Sequence, residues 1–220
     1  LLLYNRYETA MRQNDVRDAQ NLMETIADSM EQYLKNMRQI SDTVNYNIIQ
    51  AHDVSSPEFN QQLSLLYDLN KDKRQSIALY DMDGELLGAE PVTIQKEGIE
   101  VSRQSWFENA KEKIENMHFS TPHMQDLFQD DAKRYHWVIS LSRAVEVIDG
   151  DSPENGILLV DMKYSFIEEM MDQINDSSRG RYYYLCDREG KLIYHPYANE
   201  ICYGLFQENS GLASCSEDGI

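Results

Sequence analysis

The chain has 220 residues, 41% of them hydrophobic and 26% charged, with a formal net charge of −18. That apolar content excludes a disordered chain, and the length allows one large domain or two small ones. So acidic a protein is repelled by phosphate backbones and anionic headgroups, which argues against nucleic acid or lipid as partners.

No apolar run approaches the ~18 residues that a membrane span needs. Leu1-Leu2-Leu3 is also too short for the apolar region of a signal peptide. A start on bare leucines without Met reads as a cut just outside a transmembrane helix, and Ser216 to Ile220 reads as an interruption. The expectation is a fragment, tethered to a membrane by flanking segments. Cys186, Cys202 and Cys215 show no zinc-ligand spacing and no CxxC, so neither a metal site nor a disulfide scaffold is expected. A Cys202–Cys215 bridge would suit an extracellular setting.

From the start to about residue 52 there is neither proline nor glycine, and apolar residues recur at Leu22, Ile26, Met30, Tyr33, Met37, Ile40, Val44 and Ile48. These steps of three and four predict one amphipathic helix, about 70 Å long at 1.5 Å per residue. Its first turns, Tyr4 to Asp18, are mostly polar. Such a helix is expected to project beyond the core and to pair with a second copy, forming a homodimer. Ser56 is then a candidate N-cap with Pro57 at the first helical position, and Leu63 and Leu66 give the second helix its apolar face.

The period now changes. Ser76 to Tyr80, the turn Asp81-Met82-Asp83-Gly84, and Glu85 to Ala89 predict a β-hairpin. Residues 90–102 read as loop, and 105–114 as a short helix. Phe119 to His123 is extended, with Pro122 blocking a helix. A strand over 136–145, a turn over 149–153 and a strand over 156–162 precede a helix at 164–174. The hairpin pattern then restarts: Asp187-Arg188-Glu189-Gly190-Lys191-Leu192 repeats Asp81-Met82-Asp83-Gly84-Glu85-Leu86 behind a second apolar strand. The fold class is therefore α+β, a long helix followed by two modules with antiparallel sheets, the second truncated. The domain boundaries fall at 1–52, 53–174 and 175–220.

Four segments in this order resemble a family: Ser105-Trp106-Phe107, Phe119 to Phe128, Trp137 to Arg143, and Gly156 to Asp161. Together with the long helix and the repeated hairpin, they resemble a double Cache (dCache) sensor domain with two PAS-like modules. The resemblance implies an extracellular sensor of a bacterial membrane receptor. The style is similar to histidine-kinase ectodomains, with chemoreceptors and cyclic-dinucleotide enzymes as alternatives. It also implies a small-molecule ligand held in the membrane-distal module, between the sheet and an overlying loop and helix.

Carried over residue by residue, the resemblance nominates Gln104, Trp106, Phe107, His123, Gln125, Arg143 and Asp161 as ligand-binding residues. Gln104 stands where amino-acid-binding members have an arginine that clamps the ligand carboxylate, and Arg103 is one residue off. His123 and Gln125 replace a tyrosine and an aspartate, while Asp161 matches the aspartate that holds a ligand amine. Without a bidentate guanidinium a carboxylate loses its strongest partner. The expected ligand is cationic, polyhydroxy or heterocyclic, walled by Trp106.

Simpler readings of the same residues are core packing for Trp106, a solvated loop for His123, a helix-capping carboxylate for Asp161 and a structural ion pair for Arg143. Strand alternation places Asp161 on the face of Ile157 and Leu159. There is no P-loop, GxSxG or HExxH. Asp130-Asp131 reads as a solvated turn, and Asp149-Gly150-Asp151 is too short for an EF-hand loop. No catalysis, cofactor or metal is expected. The second reading is a ligand-free assembly module acting through helix pairing.

Overall fold

Tyr33, Met37, Ile40 and Val44 are all buried, the stripe expected of a helix that meets a core on one side. They belong to or directly follow α1 (Leu2–Thr43) in the computed structural model, which describes residues 2–69, 71–92, 94–113, 116–129, 136–150, 152–175, 182–187 and 192–197. The periodicity predicts an α-helix to about residue 52, but the turns from Val44 to Ile49 are π-helical. A π-turn accommodates an extra residue, and here the successive Ile48 and Ile49 are both buried together with Val44 and Asn45.

The second helix, α2 (Pro57–Asp68), starts where its cap residues predict: the Ser56 hydroxyl accepts from the Phe59 N–H at 3.2 Å, and Pro57 takes the first position.

The hairpin β1 (Arg74–Asp81) and β2 (Leu86–Glu90) turns as expected. Asp81 accepts from the N–H groups of Asp83 and Glu85, and Gly84 takes a φ of +92°, which a side chain would resist. α3 (Ser105–Glu112) follows. The extended segment near Pro122 resolves into two short strands, β3 (His118–Phe119) and β4 (His123–Met124), both paired with β5 (Trp137–Asp149). β5 and β6 (Ser152–Lys163) form a hairpin tighter than the sequence implied. Pairing runs on to Asp149 opposite Ser152. Pro153 is tolerated because β6 meets β1 only from Gly156 onward and has one neighbour at that end.

The sheet order is β2-β1-β6-β5-β3, with β4 also on β5, and all pairings are antiparallel. Its two faces carry different partners. One receives α2 and the end of α1: Phe59 lies against Gly88, and Arg143 meets Asp42. The other carries Ala78, Tyr80, Ala144, Ile157 and Leu159, covered by Trp106, Phe107 and Ala110 of α3 and by Leu127 and Phe128. The covering loop is itself braced, with Lys96 N–H bonded to Leu127 C=O and Gln129 N–H to Ile94 C=O.

The chain divides into two compact units, Lys35–Phe166 and a second formed by Leu1–Leu34 with Ile167–Ile220. The sheet above belongs to the first. In the second, β7 (Leu185–Cys186) pairs antiparallel with β8 (Leu192–Tyr194), as the repeated hairpin pattern predicts. Tyr194 donates to Asp172 of α4 (Ser165–Ile174) at 2.6 Å, and the Asn175 side chain bonds both backbone groups of Tyr183. The turn 188–191, the Cys202–Cys215 pairing, Asp130-Asp131 and Asp151 lie outside the described residues. Among the described residues no helix is long and apolar enough to cross a membrane.

Candidate functional site: a buried carboxylate network

Asp161 sits on β6 between two serines that stand directly beside it in register, Ser76 on β1 and Ser140 on β5. Side chains opposite one another in adjacent strands share a face, so the three form one polar rung across a largely apolar face. Asp161 is 1% exposed. The Ser140 hydroxyl donates to its Oδ1 at 2.5 Å and the Ser76 hydroxyl to its Oδ2 at 2.7 Å.

His123 extends the rung. Its Nε2 lies 3.3 Å from the Ser140 hydroxyl, and its Nδ1 lies 3.0 Å from the Thr121 carbonyl and 3.2 Å from the Ser120 hydroxyl. A carbonyl only accepts, so the Thr121 contact is a hydrogen bond in the form that carries a proton on Nδ1. The Ser120 hydroxyl also accepts from the Ser140 N–H at 2.9 Å, which ties the β3–β4 connection to β5.

Burial pushes the Asp161 carboxyl above the ordinary carboxylate range, because desolvation disfavours the charged form. The donors Ser140 and Ser76, and then the nearby His123, oppose that rise. The Tyr80 phenol is also pushed up, first by burial and then by the negative charge of Asp161.

Trp106 packs its ring 5.7 Å from Tyr80 and, edge-on, 5.7 Å from Phe107. The Ser142 hydroxyl donates to the Trp106 carbonyl at 2.9 Å and pins α3 to the sheet. Phe107 is fully enclosed in the apolar cluster. Gln104 is half-buried at the start of α3, and its carbonyl accepts from Phe107 and Glu108. Gln125 is half-buried beside β4, with its N–H on the His136 carbonyl.

The structure therefore brings His123 and Asp161 into one network and sets Trp106 and Phe107 over the same face. Arg143 does not join them. Alternation along β5 turns Ser140 and Ser142 to this face and Arg143 to the other, where its guanidinium bonds Asp42 at 2.7 Å. There it forms an ion pair with α1, the simpler of the two readings given for it above. Arg103 points elsewhere, to Glu100 on the surface.

Ser76, Ser140, Ser120 and Tyr80 were missed in the sequence. Their signal is weak: serines that interrupt an apolar alternation, as in Val138-Ile139-Ser140-Leu141-Ser142. Only the register shows that Ser76 and Ser140 flank Asp161.

The Cache domain family (dCache_1) matches residues 7–214. The chain belongs to this family. Among curated proteins none matches it significantly. Its fold is similar to that of the ligand-binding domain of the chemoreceptor PctB of Pseudomonas aeruginosa PAO1, solved with L-Gln. The two are 19% identical with a TM-score of 0.58, over 82% of this chain and 68% of that one. PctC of the same organism, solved with GABA, gives 15% identity and a TM-score of 0.60 over 84% and 80%. CtaA of Pseudomonas fluorescens, solved with L-serine, gives 16% and 0.62 over 91% and 84%. At such identity the likeness speaks to the fold. Cache domains are ligand-binding sensor domains rather than enzymes, and the α+β architecture with its long N-terminal helix is theirs.

Proposed function

We propose that this chain is the extracytoplasmic sensing domain of a transmembrane receptor, and that its distal Cache module binds a small cationic ligand. The observation that carries the reading is Asp161, a carboxylate enclosed on the covered face of the sheet, where the nearest cationic candidate is His123. A buried carboxylate with spare lone pairs is suited to an ammonium or amidinium group. Trp106 supplies an aromatic wall for the same cation. Gln104 and Gln125 contribute neutral polar edges, and Phe107 holds Trp106 in place.

Binding would be signalled through α1, which also pairs with a second copy of the chain. Val16 and Met23, one heptad apart on α1, are exposed apolar residues suited to that contact. The proposed output is a histidine kinase. A chemoreceptor output is the second reading, favoured by the receptors whose domains share the fold.

Thermal-shift screening with amines, amino acids, sugars and nucleobases tests the ligand. Stabilisation by amines that is lost in Asp161→Asn supports it, and stabilisation by sugars or amino acids alone sinks it. Light scattering checks the dimer, which Met23→Glu should dissociate. The coding sequence after the domain decides the output.

A further inference from the structure

Tyr80 is fully buried, and its hydroxyl has no hydrogen-bond partner among the described residues. Buried polar atoms in folded proteins are paired with few exceptions, and each exception asks for a reason. Phenylalanine would fill the same space without leaving an unmet hydroxyl. Tyr80 belongs to the apolar cluster with Ala78, Trp106, Ile157 and Leu159.

Its position ties it to the Asp161 rung. Ser76, Ala78 and Tyr80 alternate onto one face of β1, and Ser76 is the direct partner of Asp161. Tyr80 therefore lies further along the same face, with Trp106 leaning on its ring at 48° and 5.7 Å. Burial first, and the Asp161 charge second, push its phenol up. Because that charge and burial both hold the proton on the phenol, Tyr80 is a neutral donor at any working pH.

We propose that Tyr80 is a specificity-determining residue. Its hydroxyl donates to a neutral acceptor on the ligand, such as a hydroxyl, ether, carbonyl or ring nitrogen, while the ligand's cationic end faces Asp161. A second anionic group on the ligand is disfavoured. It would sit near Asp161 in a low dielectric where His123 already serves that carboxylate, with Gln104 in place of a guanidinium and Arg143 held on the other face by Asp42. The ligand class is thus a cation bearing a neutral oxygen or nitrogen acceptor and an apolar body that rests against Trp106. This inference rests on the reading of the covered face as a cation site.

Two matched pairs of probes test it on the purified domain by thermal shift: phenethylamine with tyramine, and pentylamine with 5-amino-1-pentanol. Each is run on wild type, Tyr80→Phe and Asp161→Asn. In at least one pair the oxygen-bearing amine should stabilise wild type more than its partner. Tyr80→Phe should erase that difference while keeping the shift from the oxygen-free amine. Amines that bind without an oxygen preference, or a preference that survives in Tyr80→Phe, overturn the role of Tyr80 and leave the cation site standing. Absence of binding by all four amines, or binding that survives in Asp161→Asn, overturns the cation site and this inference with it. A ligand-free measurement is independent of the probes. Tyr80→Phe should raise the melting temperature by roughly 2–4 °C, as removal of an unpaired buried hydroxyl predicts. A fall of the same size would show that the hydroxyl serves the fold and would refute the proposal.

Discussion

Replacing Ser76 or Ser140 by alanine removes one donor from the buried Asp161 carboxylate and leaves the backbone register untouched. Hydrogen bonds to charged groups contribute about 1.5–3 kcal/mol, and neutral ones about 1 kcal/mol. Ser140 also faces His123 and Ser76 does not, so Ser140→Ala should be the costlier change. At 2–4 °C per kcal/mol for a chain of this size, each variant should melt roughly 3–12 °C below wild type at pH 8.

The pH dependence follows from the direction of the Asp161 shift. Its folded pKa is raised, so the folded state holds the proton more tightly than the unfolded chain does. The stabilisation from that proton is complete below the unfolded carboxylate value and is lost as pH rises through the folded one. Both serines lower the folded value, so deleting either moves it up further and enlarges the penalty on the alkaline side. The gap between wild type and each variant should therefore be wide at pH 8 and narrow towards pH 4. Urea denaturation followed by circular dichroism across that range reads it directly. A gap independent of pH would mean that the serines do not support an ionised Asp161, and the network described above would be refuted. Asp161→Asn provides the complement: it should flatten the alkaline loss of stability.

Two further outcomes are expected. Arg143→Ala breaks an ion pair whose Asp42 side chain is 45% exposed, so it should cost about 0.5–1 kcal/mol by denaturation; a ligand response lost in this variant would return Arg143 to the site. In Gly156→Ala the new Cβ would meet the Tyr80 carbonyl oxygen at 2.7 Å and Val147 at 3.2 Å, forcing β6 from β1 at a cost of about 1–3 kcal/mol. An unchanged melting temperature would show that the strands part freely there.

Local chemistry was legible in the sequence because it is written by neighbours. The Ser56-Pro57 start of α2, the Asp81 to Gly84 turn and the change from helical to alternating period each depend on a few adjacent residues. The face of Asp161 was legible too, since alternation alone fixes it relative to Ile157 and Leu159. The π-helical end of α1 was not, because the apolar period from Tyr33 to Ile48 fits an unbroken α-helix equally well, and only the demand to bury both Ile48 and Ile49 distinguishes them.

The site itself was decided by tertiary structure. Ser76, Ser140 and Asp161 are far apart in the chain and meet only because β1 and β5 flank β6 in one particular register. A shift of one residue would turn either serine to the other face. Arg143 was nominated by sequence order, yet the pleat sends it to Asp42. The sequence by itself determined most of the elements, the repeated hairpin and the face on which Asp161 lies. Which polar groups surround that carboxylate, and that Tyr80 lies further along the same face, followed from strand pairing, which no local run of residues encodes.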